Sequence, residues 1–271
     1  MRELSKGMIL IACNEISRLF SSPIVIVFAA LMVILSFTNA AGVSVVLPTR
    51  FSFLDHDEAF FYVGLGNFLW NMSALFSFLS ICIGIVSFTD EKKGSLRLLL
   101  TKPVYRRDAI IGKYLGIMVF LLLMITLTVC LFVSLTMIVF GGPESAIELV
   151  LRAGSFILLL FLNCGFTIGL VTFFCIILSK AEAMMASIAF IAMEYLARMP
   201  WVPSSLGELQ IINPVNLYIA AFAISPGKDL YSLALPYSTW LDHALPYLLL
   251  MITEIIVILL INSILLSREE L

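Results

Sequence analysis

Charge is what this sequence has least of, and that scarcity is the first constraint on what the chain can be. Only 13% of the 271 residues are charged and 61% are hydrophobic, whereas a soluble domain carries roughly 25% charged residues. Too few polar side chains are present to cover a water-facing surface, so lipid is the expected solvent. Histidine is scarcer still, with only His56 and His243, and the acids well inside apolar runs are Glu194 and Glu254. Hydrolysis or prenyl transfer within a membrane needs clustered acids, histidines or a nucleophile, so the inventory for a membrane-embedded enzyme is thin. The five cysteines, Cys13, Cys82, Cys130, Cys164 and Cys175, form no C-x-x-C pair. They read as free thiols, which argues for neither a disulfide framework nor a thiolate metal site. No duplication relates the two halves, so the usual signature of a self-sufficient secondary transporter is missing. A net charge of -2 gives no sign of a nucleic-acid partner.

What is present is a succession of apolar runs. Residues 1–22 place Leu4, Met8, Ile11, Ile16 and Leu19 at helical spacing, with Arg2, Glu3, Lys6, Asn14, Glu15 and Arg18 largely elsewhere on the wheel. This pattern predicts an amphipathic interface helix along the membrane surface. Runs at 23–46, 63–88, 114–140, 153–178, 183–199 and 245–266 are read as spans. The expected fold is therefore an all-α integral membrane protein with six transmembrane helices in a single membrane domain. Pro23 suits the opening of the first span, because a first-turn amide has no partner to lose. Gly141-Gly142-Pro143 breaks the third, and Gly165 and Gly169 stand in G-x-x-x-G spacing, read as close helix packing. Residues 200–244 form the longest connection, yet it is not polar. Asn213-Pro214 and Ser225-Pro226-Gly227 punctuate it, which predicts short re-entrant or surface helices before the last span.

The long charged segment is 90–113, between the second and third runs. With Lys92, Lys93, Arg97, Lys102, Arg106, Arg107 and Lys113 it carries seven cations, and so basic a loop is held on the cytoplasmic side. The resulting topology puts both termini inside and leaves Arg50, Arg152, Arg198 and Lys228 outside, with the other twelve of the sixteen Lys and Arg inside. Asp55, Asp57 and Glu58 then fall outside with His56 and read as a solvated loop, since ligands adjacent in sequence rarely converge on a cation. Leu96, Leu99 and Leu100 make an i, i+3, i+4 patch that Pro103 interrupts. An apolar knob ringed by cations can fix topology, bind anionic lipid of the bilayer or dock a cytoplasmic partner; only the last requires the leucines.

Within the spans, Glu254 has no basic residue one turn away, so it is expected to face protein or water or to be protonated, in a pathway or subunit contact or as a structural carboxyl. Glu194 has Arg198 four residues on, a pair near the outer interface. Asn67 and Asn71 share one face of the second span, and Asn163 and Thr167 one face of the fourth, which predicts interhelical hydrogen bonds beside the alternative of a pathway lining.

The loop also resembles a family. Asp90 or Glu91, Gly94-Ser95-Leu96, Leu99-Leu100-Thr101, Pro103-Val104, Arg106 or Arg107 and Ile111-Gly112-Lys113-Tyr114 are similar to the signature of ABC-2 type permeases, the membrane subunits of ATP-binding-cassette transporters. Tyr105 departs from it, since a small residue is more usual there. Asn213-Pro214-Val215-Asn216 further resembles the branch associated with nitrous oxide reductase maturation. The resemblance implies that Glu91, Gly94, Ser95, Leu96, Arg97, Leu99, Leu100, Pro103, Arg106 and Arg107 contact an ATPase. It implies a second permease copy, a homodimer, and export by alternating access in the cytoplasmic membrane of a prokaryote. The chain has no G-x-x-x-x-G-K-[ST] phosphate loop. ATP and Mg are thus expected on a separate ATPase subunit, with no cofactor or metal in this chain. The competing readings are a secondary transporter and a membrane-embedded enzyme.

Overall fold

Ser22-Pro23 sets the first corner. The Ser22 carbonyl accepts the amides of Val25 and Ile26 at 3.1 and 3.2 Å, which makes Ser22 the cap and Pro23 the first helical residue, where its missing N–H costs nothing. On either side lie α1 (Arg2–Phe20) and α2 (Pro23–Arg50), followed by α3 (Asn67–Thr89), α4 (Arg106–Phe140), α5 (Ala146–Ile177), α6 (Lys180–Leu196) and α7 (Pro214–Phe222). The hairpin β1 (Ala223–Ser225) and β2 (Lys228–Asp229) then leads to α8 (Tyr237–Arg268). The computed structural model describes residues 2–50, 57, 60, 61, 65, 67–89, 106–196, 214–225, 228–233 and 235–268.

Among the described residues, five helices are long and apolar enough to cross a bilayer, over Pro23–Gly42, Asn71–Phe88, Ile111–Val139, Ala146–Ile177 and Tyr237–Leu265. The expected sixth falls on α6, which has 17 residues. At about 1.5 Å per residue it reaches about 26 Å, short of a ~30 Å hydrocarbon core. Its expected continuation to residue 199, with Arg198, lies outside the described residues. The fourth run begins earlier than expected, at Ala146, because Ser145 caps it by accepting the Glu148 amide at 3.3 Å, and Glu148 then sits in the favourable first turn. The last helix starts at Tyr237 and runs through Pro246. The Asp242 carbonyl loses its i+4 amide there, and Asp242 is exposed, so that carbonyl has solvent or headgroups within reach. The hairpin of β1 and β2 is the departure from an all-α fold.

The helices are not equally central. In α5, 72% of the spanning residues are buried, against 28% in α2 and 17% in α8. Most hydroxyls inside the bundle close their bonds at home: Ser36, Ser77, Ser80, Thr128, Thr136 and Thr167 each donate to the carbonyl four residues back, the usual way a membrane helix carries Ser and Thr. Bonds between helices converge on α5. Asn163 Nδ2 donates to Ser77 Oγ on α3 at 3.0 Å, the Tyr114 hydroxyl of α4 donates to the Gly165 carbonyl at 2.9 Å, and Asn262 Nδ2 of α8 donates to the Gly169 carbonyl at 2.9 Å.

The glycine pairs explain how closely the helices approach. A Cβ on Gly169 would lie 2.5 Å from Ile258 Cγ2, and one on Gly165 2.8 Å from Met118 Cε, so the G-x-x-x-G pair of α5 seats neighbouring side chains. A second pair at the same spacing has backbone, not a side chain, as its nearest neighbour. On Gly112 a Cβ would meet the Met8 carbonyl oxygen at 2.9 Å, and on Gly116 the Ala12 carbonyl oxygen at 2.7 Å and Ala12 Cα at 3.0 Å. Here the bare glycines admit the backbone of α1 itself. The first helix therefore runs alongside the start of α4 in the same direction, and Phe20 reaches Phe120 with ring centroids 5.2 Å apart. Its predicted wheel needs correction at Glu15, which was placed among the polar positions and is buried, while Ile9, Leu10 and Phe20 face outward.

Candidate functional site

Among the described residues, Glu15 and Arg152 are the charged side chains that are fully buried. They sit at opposite ends of the bundle. A buried charge is costly unless paired and hydrogen-bonded, so each marks a built arrangement.

Glu15 lies at the end that carries the basic loop. Its Oε1 accepts from the Ser87 hydroxyl at 2.6 Å and from Arg18 Nη2 at 2.5 Å. Arg18 Nη2 also donates to Ser87 Oγ at 2.7 Å, and Lys113 Nζ donates to the Ser87 carbonyl at 3.1 Å. Ser87 is in the last turn of α3 and Lys113 in the first turns of α4. Three helices thus meet at the two roots of the loop, and Ser87 is held through its side chain from α1 and through its carbonyl from α4.

The loop residues Glu91, Gly94, Ser95, Leu96, Arg97, Leu99, Leu100 and Pro103 lie outside the described residues, and Arg106 and Arg107 open α4. Of the intramembrane positions, Asn163 is buried and bonded to Ser77, and Thr167 bonds back to the Asn163 carbonyl at 2.9 Å. Asn71 is exposed on α3, whose first residue is Asn67. Glu194 falls in the last turn of α6. Glu254 is half-buried on α8, on the side that carries buried Met251 and, at Ile255 and Ile258, the contacts to Gly165 and Gly169. Exposed Asn71 and buried Asn163 do not share one site.

At the far end, Arg152 in α5 holds down the segment before α8. Its Nη1 donates to the carbonyls of Leu230 and Ser232 at 2.5 and 3.1 Å, its Nη2 to that of Leu235 at 3.0 Å, and its Nε to Glu148 Oε2 at 3.2 Å. The guanidinium carbon also stands 5.8 Å from the Phe61 ring centre, within cation–π range. Around it pack Phe156, Phe222, Tyr218 and Tyr231, and Trp240 Nε1 donates to the Phe222 carbonyl at 3.2 Å. Burial pushes the Asp229 carboxyl above its usual range, opposed by the Tyr231 amide, which it accepts at 2.9 Å, and by the charge of Arg152. On the loop side, the amide of Ser179, donating at 2.9 Å, holds exposed Glu182 below the usual range.

Three features escaped the sequence reading. Arg152 had a signal, since Glu148 stands four residues before it at a capped helix start and the rest of that helix is apolar. Gly112 and Gly116 had the same spacing as the pair that was noticed. Glu15 had none, because a carboxylate on an amphipathic helix is normally a water-facing residue.

With the described residues nearly all helical and five of the helices apolar and of membrane length, the chain is a multi-pass integral membrane protein. Residues 9–271 match the family model described as ABC-2 family transporter protein, and the chain belongs to that family. It is accordingly a membrane component of an ATP-binding-cassette transporter, and membership implies association with an ATP-binding-cassette ATPase. No curated protein matches the chain.

Proposed function

We propose that this chain is the permease of an exporter in a prokaryotic cytoplasmic membrane. It works as one half of a homodimer, with termini and basic loop in the cytoplasm, and alternates between inward-open and outward-open states. Residues 90–113 dock on a separate ATPase subunit, which binds ATP and Mg. Leu96, Leu99 and Leu100 fill a groove on that subunit, and Arg97, Arg106 and Arg107 meet its acidic rim. The permease contributes differential binding between its two states, and the partner contributes the bond chemistry.

The observation that carries this reading is the loop itself, seven cations around a leucine patch in a chain with no phosphate loop of its own. Topology and lipid attraction need the cations alone. The test is co-purification with a candidate ATP-binding-cassette ATPase subunit, comparing the native chain with a Leu96→Asp, Leu99→Asp variant. Capture by the native chain and loss by an inserted, folded variant is the expected result. Equal behaviour of the two, with no ATPase bound, would reduce the loop to a topology and lipid anchor.

A further inference from the structure

We propose that Glu15 is a positioning residue for energy coupling: it locks the N-terminal helix to both roots of the basic loop, so that α1 moves with the loop when the ATPase moves it. The inference rests on the reading of residues 90–113 as the ATPase-docking element and extends it to a helix that the docking motif does not contain.

Three observations converge on it. The first is steric. Gly112 and Gly116 bring the α1 backbone within 2.7 to 2.9 Å of where a side chain would begin, so α1 and the start of α4 cannot shift against each other without climbing out of that groove. The second is the bonding at Ser87, whose hydroxyl donates to Glu15 at 2.6 Å while its carbonyl accepts from Lys113 at 3.1 Å. Because α3 ends and α4 begins within a few residues of these bonds, a displacement of the loop strains both contacts at once. The third is the choice of residue. Docking α1 does not require a carboxylate, since an apolar side chain in a buried slot is commonly as stabilising as an ion pair or more so. What a buried, bonded acid adds is register, because sliding by one residue takes it away from the Ser87 hydroxyl, its donor on another helix.

The energetic logic follows. Without Glu15 the glycine groove would still tie α1 to α4, but the α3 root could move beneath it at little cost. With Glu15 bonded to Ser87, movement of the α3 root either carries α1 along or strips the buried carboxylate of the Ser87 hydroxyl and leaves it only Arg18, which rides on α1 itself; the second course is the expensive one. The push on the loop is thereby distributed to α1 and, through the Ser22-Pro23 corner, to α2.

The test uses the full permease–ATPase complex in lipid vesicles and reads two quantities: ATPase capture, and the increment in ATP turnover that the permease confers. Four variants are compared with the native chain: Glu15→Leu, Glu15→Gln, Ser87→Ala and the Glu15→Leu, Ser87→Ala double. Glu15→Leu is expected to capture the ATPase within about twofold of native and to lose roughly tenfold of the turnover increment, with Ser87→Ala behaving alike. The double should be no worse than either single, as for partners in one interaction. Glu15→Gln, which keeps an acceptor oxygen in place, should recover most of the loss. Native turnover in Glu15→Leu, or losses that multiply in the double, would overturn the proposal. Ser87→Ala only shortens a buried side chain, so it carries the test if Glu15→Leu does not accumulate. Failure of the docking reading is separately visible, because Leu96→Asp, Leu99→Asp would then capture the ATPase as well as the native chain.

Discussion

Replacing Arg152 with alanine should unlatch the segment before α8 while leaving the bundle folded. The side chain is fully buried and its guanidinium serves the carbonyls of Leu230, Ser232 and Leu235. Leu230 is completely buried and Ser232 is buried to 8% exposure, whereas Leu235 is half-buried and within reach of water. Two carbonyls are therefore orphaned in earnest, at about 1–3 kcal/mol each. Glu148 is 32% exposed on its side chain, so losing that pair adds at most about 0.5 kcal/mol. A local cost of about 4 kcal/mol raises the opening equilibrium of the segment about 1,000-fold. Amide hydrogen exchange in nanodiscs reads this directly at Leu230, whose N–H bonds the Phe222 carbonyl at 2.9 Å. Arg152→Met fills the same space without donors and should accelerate exchange nearly as much, and Arg152→Lys, with a point charge in place of a fork, should fall between. Unchanged exchange in Arg152→Ala would refute the reasoning. Native exchange in Arg152→Met would show that volume, not hydrogen bonding, holds the segment.

Further consequences are open to measurement. Gly116→Ala sets a Cβ against the Ala12 backbone, and Gly165→Ala sets one against the end of Met118; the first should cost about 1–3 kcal/mol despite the better helix former, the second under about 1 kcal/mol because Met118 can turn aside. Thermal unfolding in detergent ranks the two, and an equal effect would contradict the close passage of α1. For Asp229 the sign follows from burial: a carboxyl raised in the native state keeps its proton to higher pH than in the unfolded chain. Stability therefore falls as pH rises from the ordinary carboxylate range through the raised value. Asp229→Asn retains an acceptor for the Tyr231 amide and should flatten that slope, seen as a melting temperature independent of pH across the same interval.

The membrane character and most helices were legible because composition and length are direct consequences of the solvent: a run of apolar residues of bilayer length has few other structures open to it. The Gly165–Gly169 spacing and the interhelical bond of Asn163 were legible for the same local reason, as features of one helix, whereas Thr167, expected to bond across, bonds back to the Asn163 carbonyl. What the sequence concealed was pairing across distance. Nothing local distinguishes Glu15 from a solvated acid until Ser87, in the last turn of α3, is seen to donate to it. Likewise Arg152 looked like an outer-face charge, since the carbonyls it binds belong to a segment about 80 residues on whose conformation, a hairpin, has no strong strand pattern. The weak hydropathy contrast of residues 214–235 also hid where α8 begins, because Pro246 resembles a start and sits inside the helix.

The self-contained hydroxyls have a mechanical consequence. A hydroxyl spent on its own helix makes no claim on the neighbour, so the faces that carry Thr128 and Thr136 offer smooth bearings, along which helices can shear without leaving a polar group orphaned. Within the membrane-spanning part, the bonds from Asn163 to α3, from Tyr114 to Gly165 and from Asn262 to Gly169 have α5 at one end, as does the Arg152 latch. They act as pins through a common shaft. Any change of shape that spares them turns about α5, with α2, a lightly buried helix that none of these pins holds, swinging farthest.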